Sequence, residues 1–157
     1  MANGNTSDNK TIVRRLFEDG LNRDDANVIE ALVAPEYVDG AGERGPGAFK
    51  QVMVRLRGAF PDLHYTIDHL LAEGDDVAIR WHWTGVHRGT FRGIAPTGQA
   101  LSNSGAAVFR VQGGKIISAA LETDRLGFLQ AIGVVPLNEV LFKAPVSPVN
   151  AAPARGA

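Results

Sequence analysis

The chain has 157 residues, of which 45% are hydrophobic and 21% charged, and this length fits one compact domain. Sixteen Lys and Arg residues against seventeen Asp and Glu residues give a formal charge of −1, which argues against nucleic acid as the main partner and against a polybasic membrane anchor. Cysteine is absent, so disulfide bonds, thiolate chemistry and cysteine-ligated metal sites are excluded.

The first part of the chain predicts three amphipathic helices. After a polar leader, residues 1–6, a cap at Ser7 or Asp8 precedes the first helix, whose apolar positions are Ile12, Val13, Leu16, Phe17 and Leu21. Asp24 or Asp25 can cap a second helix that Pro35 stops. A glycine-rich loop over residues 39–47 leads to a third helix that ends at Pro61.

After Pro61 the hydrophobic period changes from that of a helix to that of a strand. Alternating residues predict four antiparallel strands within residues 63–123, separated by glycine-rich turns. On the second strand, Trp81 and Trp83 face one side while Arg80 and His82 face the other. Helices followed by a meander and one short helix form an α+β order.

The C-terminal part predicts a short helix that ends at Gly133 and then a Pro/Ala-rich segment. We therefore expect a leader at 1–6, one domain at 7–136 and a mobile tail at 137–157. No apolar run reaches the roughly 20 residues that a membrane span needs, and the N-terminus lacks the apolar region of a signal peptide, so a cytoplasmic protein is expected.

Six short motifs stand in one order within residues 8–136. They are Glu36-Tyr37-Val38-Asp39, Ala59-Phe60-Pro61-Asp62-Leu63, Gly85-Val86-His87-Arg88-Gly89, Gly93-Ile94-Ala95-Pro96-Thr97-Gly98, Gly113-Gly114-Lys115-Ile116 and Asp124-Arg125-Leu126-Gly127-Phe128-Leu129-Gln130. In this order the chain resembles the SnoaL-like polyketide cyclases and ester cyclases, which have the nuclear-transport-factor-2-like fold.

The resemblance implies a cone-shaped α+β barrel, with a curved, mostly antiparallel sheet packed on three N-terminal helices and a short C-terminal helix. It also implies an apolar pocket for a hydrophobic small molecule, no cofactor, and homodimers or homotetramers packed through the outer face of the sheet. The expected activity is that of a cyclase of secondary metabolism, an isomerase- or lyase-type enzyme.

The resemblance further implies an acid/base pair for aldol ring closure, an aspartate on the last strand and a histidine on the strand before it. Alignment on Asp124 places Leu121 at the aspartate position, and alignment on Phe109 places Ala107 at the histidine position. Both groups are missing, so we expect ring closure of a polyketide-like or prenylated molecule by epoxide opening. A SnoaL-like hydroxylase and a non-catalytic binding protein are the alternatives.

Four titratable residues are candidates for the acid/base work. Glu122 can turn inward through a bulge or remain an ordinary outward carboxylate. Asp124 can act as an acid or cap the last helix. His82 can act only if its face of the strand lines the pocket, and Tyr37 can donate a proton at the pocket mouth or simply pack.

The candidate substrate-binding residues are mostly apolar, as expected of a site for a hydrophobic small molecule. They are Phe17, Trp81, Trp83, Asn103, Ala107, Phe109 and Leu121. The tryptophans can equally be core, and Asn103 can bind a ligand carbonyl or satisfy a backbone group. No metal site is expected, because His82 and His87 lack the spacing of zinc ligands.

Overall fold

The computed structural model describes residues 6–38, 42 and 44–141. Most of the predicted leader, much of the loop at 39–47 and most of the predicted tail therefore lie outside the described residues. Helix α1 covers Thr6–Arg15 and continues into a π-helical turn, Leu16–Leu21, in which the Asn22 N–H donates to the Phe17 carbonyl at 2.9 Å. The wider turn lets Leu16, Phe17 and Leu21 all enter the core.

Two further helices complete the helical layer. Helix α2 covers Ala26–Leu32, and its first turn is capped by Asp25, whose Oδ1 accepts from the Asn27 and Val28 N–H groups. Helix α3 covers Pro46–Ala59 and begins with a proline, which suits a first helical position because that N–H has no intrahelical acceptor.

One antiparallel sheet follows, with strands in the order β1-β2-β3-β4. The strands are β1 (His64–Glu73), β2 (Asp76–Val86), β3 (Ala100–Gln112) and β4 (Lys115–Thr123). Two short helices come after them, α4 (Arg125–Ala131) and α5 (Asn138–Leu141), and α5 falls in the segment predicted as a tail. The predicted α+β fold, a curved antiparallel sheet on N-terminal helices, is confirmed.

Alternation along the strands gives the sheet an inner face against the helices and an outer face. On β2 the inward residues Val77, Ile79, Trp81 and Trp83 are all at most 5% exposed. Ala78, Arg80 and Thr84 between them are exposed, and His82 is half-buried. The alternation of the sequence therefore predicts the two faces of this strand correctly.

A β-bulge in β1 changes this alternation at one point. The register pairs Ile67 with Trp81 and His69 with Arg80, so Asp68 is the extra residue. Asp68 follows the inward Ile67 and points to the outer face, where its carboxylate meets side chains of β2, and the bulge leaves His69 pointing outward as well. None of the helices in the described ranges is long and apolar enough to cross a membrane.

Candidate functional site

Aromatic side chains from the helices and from three strands meet at the inner face. The Phe17 ring centroid lies 5.6 Å from that of Tyr65, 6.2 Å from that of Trp81 and 6.2 Å from that of Phe109. Phe49 from α3 stacks on Phe109 at 6.5 Å. The π-helical turn thus places Phe17 against rings of β1, β2 and β3, which makes this part of the inner face a surface for flat apolar groups.

Gly105 on β3 provides the space that the Trp81 ring occupies. The register places Gly105 directly opposite Trp81. A Cβ atom at position 105 would lie 2.7 Å from Cη2 of Trp81 and 2.8 Å from the carbonyl oxygen of Glu122, and it would meet Cζ2 as well. The indole therefore lies across the bare backbone of β3 toward β4. A glycine inside a predicted strand was the available signal for this close approach.

A second aromatic cluster closes one end of the inner face. Phe60 packs on Trp83, with ring centroids 5.0 Å apart, and stacks on His87 at 5.1 Å; Phe128 of α4 lies 6.1 Å from Phe60. His87 is fully buried, and its Nδ1 accepts from the Thr97 N–H at 3.3 Å. This imidazole is a structural part of the cluster, because no surface of it is accessible.

Asn103 lies on the inner face opposite Trp83. Its Nδ2 donates to the Asp124 carbonyl at 3.0 Å, which is the backbone alternative of the sequence analysis. This contact also fixes the amide orientation, since an oxygen in place of Nδ2 would face another oxygen. Oδ1 of Asn103 is buried and has no hydrogen-bond partner among the described residues.

Ala107 and Leu121, at the positions where the resemblance implies an acid/base pair, face each other across β3 and β4. Ala107 is 4% exposed and Leu121 is 55% exposed, although its register gives it inward parity. The described residues therefore leave the inner face open beside Leu121.

The two tyrosines near the site differ in environment. Tyr37 is 5% exposed and packs on Phe49, with ring centroids 5.2 Å apart, so it is more buried than a residue at a pocket mouth. Tyr65 lies on the inner face, and its burial raises the pKa of its hydroxyl above the ordinary value. Tyr65 is therefore a neutral hydroxyl at physiological pH.

Neither Glu122 nor Asp124 points to the inner face as a catalytic acid would. Glu122 is exposed and faces outward, opposite Ala106, because β4 keeps its period of two there and no bulge turns the side chain inward. Asp124 caps α4, and its Oδ1 accepts from the Gly127 N–H at 2.8 Å. An acid/base role for Glu122 would have to act at the outer face.

His82 belongs to a charged group on the outer face. Its Nδ1 lies 2.8 Å from Oδ1 of Asp68, whose Oδ2 accepts from Arg80 at 3.3 Å. The carboxylate orients the imidazole, but away from the aromatic surface. Sequence analysis did not single out Asp68, because alternation places it on this side of β1 but does not give the register that brings it to His82.

A shallow concavity of about 450 Å³ lies on the same outer face. Side chains of its central row are small or aliphatic, and charged groups stand beside them. Its lining includes Leu71, Ala78, Val108 and Ala120 with His69, Arg80 and Glu122. This surface is apolar in the middle. It carries Arg80 and its ion-pair partner Asp68 toward β1 and β2, and Glu122 toward β4.

The inward positions of the strands carry neither a carboxylate nor an imidazole, as far as the described residues go. The same residues contain no group of three or more metal-ligating side chains. What the inner face offers is aromatic surface, the Tyr65 hydroxyl, the Trp81 N–H and the Asn103 amide. Asp39, beside Tyr37 in the sequence, lies outside the described residues.

Comparison with known proteins gives consistent results. A family model described as SnoaL-like polyketide cyclase matches residues 11–132. Among solved structures, a protein provisionally named a SnoaL-like polyketide cyclase from Jannaschia sp. CCS1 is 26% identical, with a TM-score of 0.73 over 83% of this chain and 95% of that one.

Two further solved structures are similar. One from Acidithiobacillus ferrooxidans, provisionally named a polyketide cyclase, is 28% identical, with a TM-score of 0.71 over 84% of this chain and 99% of that one. AclR from Streptomyces galilaeus, provisionally named a hydroxylase, is 26% identical, with a TM-score of 0.75 over 88% and 89%. A search of curated proteins gives no significant match.

Proposed function

Because the chain belongs to the SnoaL-like polyketide cyclase family, we propose that it is a cofactor-independent enzyme that closes a ring in a hydrophobic, oxygenated small molecule of polyketide-like or prenylated type. The observation that supports this proposal is the aromatic inner face around Phe17 and Trp81, with its open side at Leu121. Such a surface binds a flat or folded apolar chain and excludes water from it.

The proposed catalysis consists mainly of holding the substrate in a reactive conformer. Orientation alone can supply a large part of a ring-closure barrier, because it replaces the entropy that a free chain loses on cyclising. Carbon deprotonation by a carboxylate and an imidazole is not proposed, since Ala107 and Leu121 occupy those positions.

Opening of an epoxide fits these residues better. The substrate's own hydroxyl oxygen attacks one epoxide carbon, and the carbon–oxygen bond of the epoxide breaks. The released alkoxide oxygen takes a proton from the acid, and the proton that the attacking hydroxyl loses returns to the acid. Tyr37 is the proposed proton donor among the four acid candidates, because it lies on the helical side beside Phe49, which stacks on Phe109 of the inner face.

Two other functions have specific support. Binding without catalysis is supported by the absence of carboxylates and imidazoles from the inward strand positions that the structure describes. Hydroxylation is supported by the likeness to AclR. Both use the same aromatic surface, so binding data alone do not separate them from the proposed ring closure.

The test uses the epoxide of 2-prenylphenol, which closes slowly without catalyst by attack of the phenol on the epoxide. The protein should accelerate closure and favour one enantiomer of the product, and Trp81→Ala should abolish the acceleration. Tyr37→Phe should reduce the rate by about 10²-fold, the usual contribution of a general acid. Binding of this probe without acceleration would support the binding protein instead, and hydroxylated product would support AclR-like chemistry.

We also propose that the outer face joins two copies of the chain. Across the sheet the register aligns His69, Arg80, Ala106 and Glu122 in one row. A twofold axis parallel to the strands therefore sets the side of one copy that carries His69 and Arg80 against the side of the other that carries Glu122. Glu122 has no ion-pair partner within 4.0 Å among the described residues, which leaves it available for this contact.

Charge reversal tests the dimer. Arg80→Glu and Glu122→Arg should each weaken self-association, and the double variant should restore it because the complementary charges are exchanged. Arg55→Glu on the exposed side of α3 is the matched control. Mass measurement in solution over a concentration series gives the result, and a double variant no better than either single variant would contradict this interface.

A further inference from the structure

Four buried polar side-chain atoms have no hydrogen-bond partner within the described part of the chain. They are Arg57 Nε, Trp81 Nε1, His87 Nε2 and Asn103 Oδ1. Two of these atoms have a local explanation. Arg57 Nε lies 4.0 Å from the Asp24 carboxylate, and the His87 ring stacks on Phe60. The remaining two atoms, a donor and an acceptor, both belong to the inner face. A buried polar group without a partner costs free energy, so it calls for an explanation.

The two atoms belong to neighbouring positions of the inner face. Asn103 and Gly105 are two residues apart on β3 and point to the same face, so their Cα atoms are roughly 7 Å apart. The indole of Trp81 lies over Gly105 with its Cζ2 edge, the edge next to the ring N–H. Trp81 and Asn103 therefore lie on the same face of adjacent strands, with one pair of the register between them.

The opening of the inner face adjoins this place. Thr123 pairs with Gly105, and Leu121, 55% exposed, follows on the same face of β4. Trp81 is 5% exposed, so its ring N–H is a nearly buried donor in the part of the inner face next to Leu121. A buried donor and a buried acceptor together favour a ligand group that is acceptor and donor at once.

We propose that Trp81 and Asn103 form a subsite for one neutral hydroxyl group of the bound molecule, a phenol or an enol. The hydroxyl oxygen accepts from the Trp81 Nε1–H, and the hydroxyl proton is donated to Asn103 Oδ1. The inference rests on the proposed function, because it requires that the inner face takes a small organic molecule.

The chemistry of the pair excludes other groups. A ketone or an ether accepts from Trp81 but leaves Oδ1 without a donor, which costs the bound state a hydrogen bond. A carboxylate repels Oδ1, and no positive side chain is on the inward strand positions of the described residues to offset it. The aromatic rings around Phe17 favour a hydroxyl carried on a flat conjugated system.

The test compares three probes of one shape by calorimetric titration at pH 7: 2-naphthol, 2-methoxynaphthalene and naphthalene. The phenol should bind about tenfold more tightly than the ether, because only the phenol can donate to Asn103, and the ether should bind more tightly than the hydrocarbon. Asn103→Leu should remove the first preference, and Trp81→Phe should remove the second.

Phe91→Leu is the matched control, since it changes an aromatic ring that packs on Phe60 and Phe128, away from the proposed subsite, and it should leave both preferences intact. The Asn103 variant also loses its bond to Asp124, but a general loss of structure weakens all three probes alike. If that variant does not fold, the Trp81→Phe comparison still tests the subsite. Equal binding of the three probes to the unmodified protein, or a phenol preference that survives Asn103→Leu, overturns the subsite. The proposal that the inner face binds a small molecule would still stand in that case. Failure of all three probes to bind overturns the proposed pocket as well.

Discussion

Replacing Gly105 by alanine tests whether the Trp81 ring depends on the bare backbone of β3. The added methyl carbon would lie 2.7 Å from Cη2 of Trp81 and 2.8 Å from the Glu122 carbonyl oxygen, whereas carbon atoms in good contact are about 3.5–4.0 Å apart. Overpacking of this kind costs about 1–3 kcal/mol. Because the obstacles are a nearly buried ring and a strand backbone, we expect about 2–3 kcal/mol.

Urea and thermal unfolding measure this cost. In a domain of this size each kcal/mol of lost stability lowers the melting temperature by about 2–4 °C, so Gly105→Ala should lower it by roughly 4–12 °C. Gly58→Ala is the matched control, since the same change on α3 meets no atom within 4 Å. Alanine is favoured over glycine in a helix, and this control should gain about 0.5–1 kcal/mol.

A double variant shows whether Trp81 is the cause. Phenylalanine lacks the outer ring of the indole, so Trp81→Phe should relieve part of the Gly105→Ala penalty, with a coupling free energy of about 0.5–3 kcal/mol. The contact with the Glu122 carbonyl remains, so relief should be incomplete. A Gly105→Ala cost within about 0.5 kcal/mol of zero, or simple additivity of the two changes, would refute the reasoning.

Three further predictions concern the stability of the frame around the site. Asp25→Ala removes the cap of α2 and should lower the free energy of unfolding by about 0.5–2 kcal/mol in urea; an unchanged value would show that the cap contributes nothing. The backbone N–H of Val86, which donates to Asp62, lowers the pKa of that carboxyl. A lowered pKa adds stability that is present above the ordinary carboxyl pKa and is lost as the pH falls through the folded-state value, so Asp62→Asn should lose less stability than the unmodified protein between about pH 5 and pH 2. Identical pH profiles would contradict this. His87→Phe keeps the ring stack but removes the acceptor of the Thr97 N–H, and it should cost about 1–3 kcal/mol by thermal unfolding; a neutral result would assign that N–H another acceptor.

The sequence is most informative about the faces of the strands. Strict alternation on β2 separates Trp81 and Trp83 from Arg80 and His82, and the structure has the same separation. Alternation works here because one face is packed on helices and the other is not, so a shift by one residue would bury charges.

The sequence is less informative where the backbone departs from regular geometry. The bulge at Asp68 adds one residue to β1, and nothing in the local sequence marks it, so the Asp68–His82 contact could not be predicted. The π-helical turn at Leu16–Leu21 reads as ordinary helix, because its apolar spacing fits both forms.

The hydrogen-bond partner of the Asn103 amide could not be predicted from the sequence either. The choice between a ligand and a backbone partner depends on where the chain goes after β4, and it is decided by the Asp124 carbonyl, 21 residues later. The same holds for Leu121. Alternation predicts that Leu121 lies on the inner face of β4. Its exposure depends on how far the helices extend over that face, which the sequence does not give.

The strand order has a consequence for handling the protein. A four-stranded open sheet has two edge strands, and each edge presents unpaired backbone groups that can recruit another chain. The β1 edge is interrupted by the irregularity at Asp68, whereas among the described residues the β4 edge has one backbone bridge to the helical layer, between Ile116 and Val33. The stretch from Ala119 to Leu121 is thus the place where aggregation by strand addition would begin, and a lysine at Ala120 is the change that would suppress it.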